Sequence, residues 1–116
     1  MARKNTHSHK MLDSVDISTS QTSNPTSVIN MDKAGILVEW ENGASPVGVI
    51  TVEARYSPQG NFVTVDFGSP INVSGNSGNL QILMEELPYQ DIRLVYTRTS
   101  GSADLTATLV IKQVGG

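Results

Sequence analysis

Apolar and polar residues alternate in three stretches of this chain, each with the two-residue period of a β-strand. In "AGILVEWE" (34–41), Ile36, Val38 and Trp40 fall on one face and Leu37, Glu39 and Glu41 on the other. In "VITVEARY" (49–56), Ile50, Val52, Ala54 and Tyr56 oppose Thr51, Glu53 and Arg55. In "DIRLVYT" (91–97), Ile92, Leu94 and Tyr96 oppose Arg93, Val95 and Thr97. Successive strand side chains point to opposite faces, so each run predicts a strand with one buried face.

Turn chemistry punctuates these runs. "SPQG" (57–60) places Ser, Pro and Gly at the first, second and fourth positions, as a type I turn prefers. "NGASP" (42–46), "GSP" (68–70), "SGNSG" (74–78) and "TSGS" (99–102) divide the rest. Strands are expected near 28–31, 34–41, 47–57, 61–67, 79–84, 90–98 and 103–113, with short pieces at 15–17 and 71–73. "NLQILMEELP" (79–88) fits both periods: Leu80, Ile82 and Met84 alternate, while Leu80, Leu83, Met84 and Leu87 have helical spacing. The reading taken is a strand over 79–84 and one helical turn at 85–88, stopped by Pro88.

Before Val28 the pattern changes. "STSQTSNPTS" (18–27) contains only Ser, Thr, Gln, Asn and Pro, whose side chains compete for backbone hydrogen bonds, and Pro25 holds Asn24 extended. Two domains follow: an extended polar N-terminal arm over 1–27 and an antiparallel β-sandwich over 28–116, jelly-roll-like, with seven to nine strands in two packed sheets. The arm has too few apolar residues to be expected in the core. Deleting 1–12 is therefore expected to leave the body's stability unchanged.

Composition narrows the chemistry. The 116 residues suit one core without disulfides, and cysteine is absent. No run approaches the roughly 18 apolar residues of a membrane span, and no apolar segment follows the N-terminal cations, so neither a span nor a cleaved secretory address is expected. Residues 1–10 hold Arg3, Lys4 and Lys10 and no carboxylate, leaving five cations against eleven carboxylates, a net −6, over 11–116. An acidic body repels phosphate, and none of the six aromatics is interleaved with a basic run. Nucleic-acid binding by the body is not expected.

Each candidate for catalysis or metal binding has a plainer reading. His7 and His9 offer two imidazoles, with Asp13 or Asp16 as a third ligand, but a zinc site needs three or four ligands on rigid elements. A solvated tail is the preferred reading. Glu85, Glu86 and Asp91 are candidates for a glycosidase carboxylate pair, yet neighbours on a turn diverge. There is no Gly-x-Ser-x-Gly elbow and no Walker-type loop. Neither an enzyme nor a bound cofactor or metal is expected. Trp40 shares the Ile36–Val38 face and reads as core with an indole N–H needing a partner; an exposed Trp40 would instead offer a sugar-stacking platform.

"SVDIS…TSVINMDKAGILVEW" (14–40) and "LPYQDIRLVYTRTSGSADLTATLVIK" (87–112) resemble small β-sandwich virion proteins of tailed bacteriophages, of the decoration or accessory type. The similarity spans about Asp13 to Ile111, and its motifs mark a strand, a loop and a hairpin, so no functional residue is carried over. It implies a structural protein of the phage particle, most simply a capsid decoration or cement protein. Its implied partners are the major capsid protein or other virion proteins, and further copies of itself. A second resemblance links "VEARYSPQGNFVTV" (52–65) and "YQDIRLVYT" (89–97) to discoidin-type jelly rolls, many of which bind carbohydrate. Phe62 replaces their usual Trp and Gln59 their usual Asp, so shared architecture is read here, not a shared ligand.

With the phage resemblance, Arg3, Lys4 and Lys10 become candidate assembly contacts, on an arm that runs over neighbouring subunits and finds shell carboxylates. The alternatives are a tail- or fibre-associated adhesion module and a carbohydrate-binding jelly roll. A buried Trp40 with an apolar outer face on one strand favours assembly. An exposed Trp40 or Tyr89 beside loop carboxylates favours sugar.

Overall fold

The computed structural model describes residues 5–113. Its eight strands are β1 (Asn5–Asp16), β2 (Gln21–Thr22), β3 (Thr26–Ser27), β4 (Lys33–Arg55), β5 (Val63–Thr64), β6 (Ile71–Ser74), β7 (Gly78–Met84) and β8 (Asp91–Gln113). All pairings are antiparallel. No helix occurs among the described residues, so none there crosses a membrane.

The long strands β4 and β8 pair with each other from Lys33↔Lys112 to Arg55↔Asp91 and run through both layers of a sandwich-like fold. In the first layer, β7 flanks β4 over 34–40 and β1 flanks β8 over 104–113. In the second, β5 and β6 flank β4 over 47–54, while β2 and β3 flank β8 over 91–96. Register shifts between Glu41 and Gly48 separate the two.

The core follows the alternation. Ile36, Val38 and Trp40 lie buried opposite Leu109, Ala107 and Leu105, and Ile50, Val52 and Ala54 opposite Tyr96, Leu94 and Ile92. These rows join one hydrophobic cluster. Tyr56, expected to continue the inner row, is 66% exposed, because β4 ends at Arg55 and the chain enters the Ser57–Gly60 turn. That turn closes as expected, Gly60 N–H donating to Ser57 O at 3.0 Å.

Several expectations need correction. "NGASP" and "TSGS" do not end strands: Ala44 pairs with Ser102 and Val47 with Ser100. Positive φ at Asn42, Ser45 and Gly101 bends both strands while the pairing continues. Residues 28–31 form a turn, in which Met31 N–H donates to Val28 O, and 61–67 keeps only Val63–Thr64 as strand. Residues 85–88 are not helical; Leu87 simply tucks into the core.

The largest correction concerns the described part of the arm. β1 pairs with β8 over nearly the whole strand, and Met11, Leu12 and Ile17 are buried. The polar stretch also lies on the chain's own β8. Ser23 N–H donates to Leu94 O (2.9 Å), and its Oγ accepts from Leu94 N–H (2.8 Å). Ser20 Oγ accepts from Arg98 N–H at 2.9 Å. Hydroxyls and backbone together complete the ladder of β8, which needs few apolar residues.

Candidate functional site

Outward-facing residues of the first layer divide into a polar groove and an apolar strip. Glu39 and Glu41 on β4, Asp104 and Thr106 on β8, and Lys10 and Ser14 on β1 line a groove of about 500 Å3. Three of its side chains are held by hydrogen bonds or an ion pair, within the groove or to neighbours at its margin. Ser14 N–H donates to Thr106 Oγ1 (3.0 Å), Asn42 Nδ2 to Asp104 Oδ2 (3.1 Å), and Lys10 Nζ lies 3.5 Å from Asp13 Oδ1.

Farther along the same face the surface turns apolar. Gly35 pairs with Leu83 on one side and Val110 on the other. Having no side chain, it leaves a trough of about 290 Å3 between them. Leu37 and Leu83 are 39% and 62% exposed, and Val110 is half-buried. A Lys33–Glu85 ion pair at 3.3 Å and Lys112 stand at the rim. Leu83 and Leu37 both face away from the core, and contiguous exposed apolar surface marks interaction sites. In "NLQILM" and "GILVE" the outward Leu residues were already legible as breaks in strict alternation.

Trp40 is 7% exposed, and its Nε1–H donates to Gly75 O at 3.1 Å. The ring lies over Gly78, its cross-strand partner, where a Cβ would fall 2.5 Å from Cζ2. It is core, and no stacking platform.

The second layer carries a charge ladder on its outer face. Arg55 Nε donates to Asp91 Oδ2 and Arg93 Nε to Glu53 Oε1, both at 2.7 Å across the β4–β8 pair. Phe62 caps both guanidinium groups, 4.8 Å from Arg55 and 3.9 Å from Arg93. Phe62 therefore covers the two ion pairs. Asp91 is buried against Arg55 while Glu85 binds Lys33, so these two carboxylate candidates are engaged on different layers, and Glu86 stands exposed. At the loop end, Tyr56 meets Tyr89 edge-on at 5.3 Å. Burial, then Tyr56 and Glu86, push the Tyr89 hydroxyl above its ordinary pKa. Tyr89 itself is half-buried.

Of the candidate assembly cations, Lys10 stands exposed on β1, and Arg3 and Lys4 lie outside the described residues. His7 and His9 sit exposed on β1 at register positions opposite Ile111 and Leu109. Among the described residues no group of three or more His, Asp or Glu side chains converges as a metal site would require.

No protein-family model matches this chain, and no curated protein matches it. Among solved structures, the SPBc2 prophage-derived protein YomS aligns with a TM-score of 0.65 at 10% identity, covering 97% of this chain and 96% of its own. FlhE aligns with a TM-score of 0.44 at 16% identity over 95% and 96% of the two chains, too loosely to bear on function. At such identity the likeness to YomS is one of architecture: this chain shares its whole fold with a prophage-derived protein.

Proposed function

We propose that this chain is a non-enzymatic structural protein of a bacteriophage particle that decorates or cements the capsid. The observation carrying this reading is the exposed apolar strip of Gly35, Leu37, Leu83 and Val110 on a sheet whose one tryptophan is buried. A flat apolar strip rimmed by charge suits a broad protein surface, whereas a glycan site would want the aromatic outside. The phage setting draws on the sequence resemblance and on the fold shared with YomS. Arg3, Lys4 and Lys10 add charge contacts to shell carboxylates, which salt would weaken.

A second reading, an adhesion module of the tail or a fibre, is favoured by one feature, the 66% exposed Tyr56 beside Tyr89 and Glu86. Cryo-electron microscopy of the phage particle that carries this chain separates the two. Many symmetric copies on the head, with the Leu37 face toward the shell, are expected. Copies confined to the tail, or absence from the particle, would overturn the decoration reading.

A further inference from the structure

The first layer ends in two edge strands, and they are built differently. Among the described residues β1 pairs only with β8 and β7 only with β4, so each leaves a row of backbone N–H and C=O groups open. Open edges invite a further strand, and proteins blunt the ones they do not use with bulges and lysines. β1 is blunted in this way. Its register shifts between Lys10 and Leu12 and again between Leu12 and Val15, Ser14 has φ 49°, and Lys10 stands exposed on it. β7 has none of these devices. Its seven residues, "GNLQILM", pair without interruption from Ala34↔Met84 to Trp40↔Gly78 and contain neither a charge nor a proline. Leu83 is largely exposed beside this edge, and Leu80 is only partly buried behind it.

We infer that a second copy of this chain adds at β7, antiparallel to it about a two-fold axis through Gln81. The occupant of such an edge must be a strand, because backbone groups are what it offers. Charge does not oppose a copy of the same chain at this edge: the seven residues of β7 carry none, so the strand meets itself without setting like charges opposite each other. The register agrees. A two-fold at Gln81 sets the two Gln81 side chains opposite each other and Leu80 opposite Ile82 of the other copy, covering the half-buried Leu80. Glu85, already held by Lys33, then falls opposite Ser77 of the other copy. An interface of this isologous kind closes on itself as a dimer.

The absence of native cysteine makes the test direct. Gln81→Cys in the otherwise unaltered full chain should form a disulfide-linked dimer on mild oxidation. Thr99→Cys, at an exposed site on another strand, should not. Adding Leu83→Glu to Gln81→Cys should cut the cross-link to the level of that control. Light scattering of the unaltered chain should give the dimer mass at high protein concentration, and needs no variant to fold. A monomer mass at every concentration, or equal cross-linking at positions 81 and 99, would overturn the inference. Both readouts use the isolated protein, so their failure leaves attachment to a particle untouched, and failure of attachment leaves them untouched.

Discussion

Two glycines are the counterparts of the two largest core aromatics. Trp40 covers Gly78 in the first layer, and Tyr96 covers Gly48 in the second, where a Cβ would lie 2.3 Å from the Tyr96 ring and hydroxyl. Tyr96 is fully buried, and burial pushes its hydroxyl above the ordinary pKa, with Arg98 pulling weakly the other way. A ring held that tightly cannot swing aside. Gly48→Ala should therefore cost about 1–3 kcal/mol, as overpacking of a filled core does. Urea unfolding of the variant measures it, and an unchanged midpoint would mean that Tyr96 has room the structure does not show. The inward facing of Tyr96 was legible in "DIRLVYT", because strict alternation leaves one solution once Ile92 and Leu94 are placed. Its dependence on Gly48 was not. That contact is diagonal across two strands far apart in sequence, and no local pattern encodes it.

Strand β1 shows where reading by pattern fails at the level of an element. Residues 5–16 alternate poorly, since their bulges place Met11 and Leu12, consecutive in sequence, both in buried positions. An edge strand also needs only one neighbour, and the Ser-rich segment behind it satisfies β8 through hydroxyls and backbone. Such a segment looks like a tether in composition and behaves as structure. Leu12→Ala should accordingly destabilise the isolated protein by about 2–5 kcal/mol, the usual cost of a buried leucine. A loss below measurement error would restore the tether reading for this segment. The same limit explains β4 and β8. Asn42 and Ser45 are turn residues by type, and here they make bulges inside one continuous strand, since positive φ serves both purposes.

For the whole molecule, the fold class was readable from alternation and turn spacing, because burial of one face per strand dictates both. The exposed apolar strip was less so. An outward Leu is ordinary when single, and only the pairing of Gly35 with Leu83 and Val110 gathers such residues into a strip. Charge remains lopsided, with a cation-rich beginning on an acidic body. The proposed decoration role requires the apolar strip to hold the chain to a particle. The most direct test is co-sedimentation of purified protein with particles stripped of it, comparing the unaltered chain with Leu37→Glu. Leu37 is 39% exposed, so the variant should keep its thermal midpoint while losing roughly tenfold or more in affinity, as removal of a central apolar contact does. Attachment of Leu37→Glu as tight as that of the unaltered chain would mean that the strip is not the surface that meets the particle.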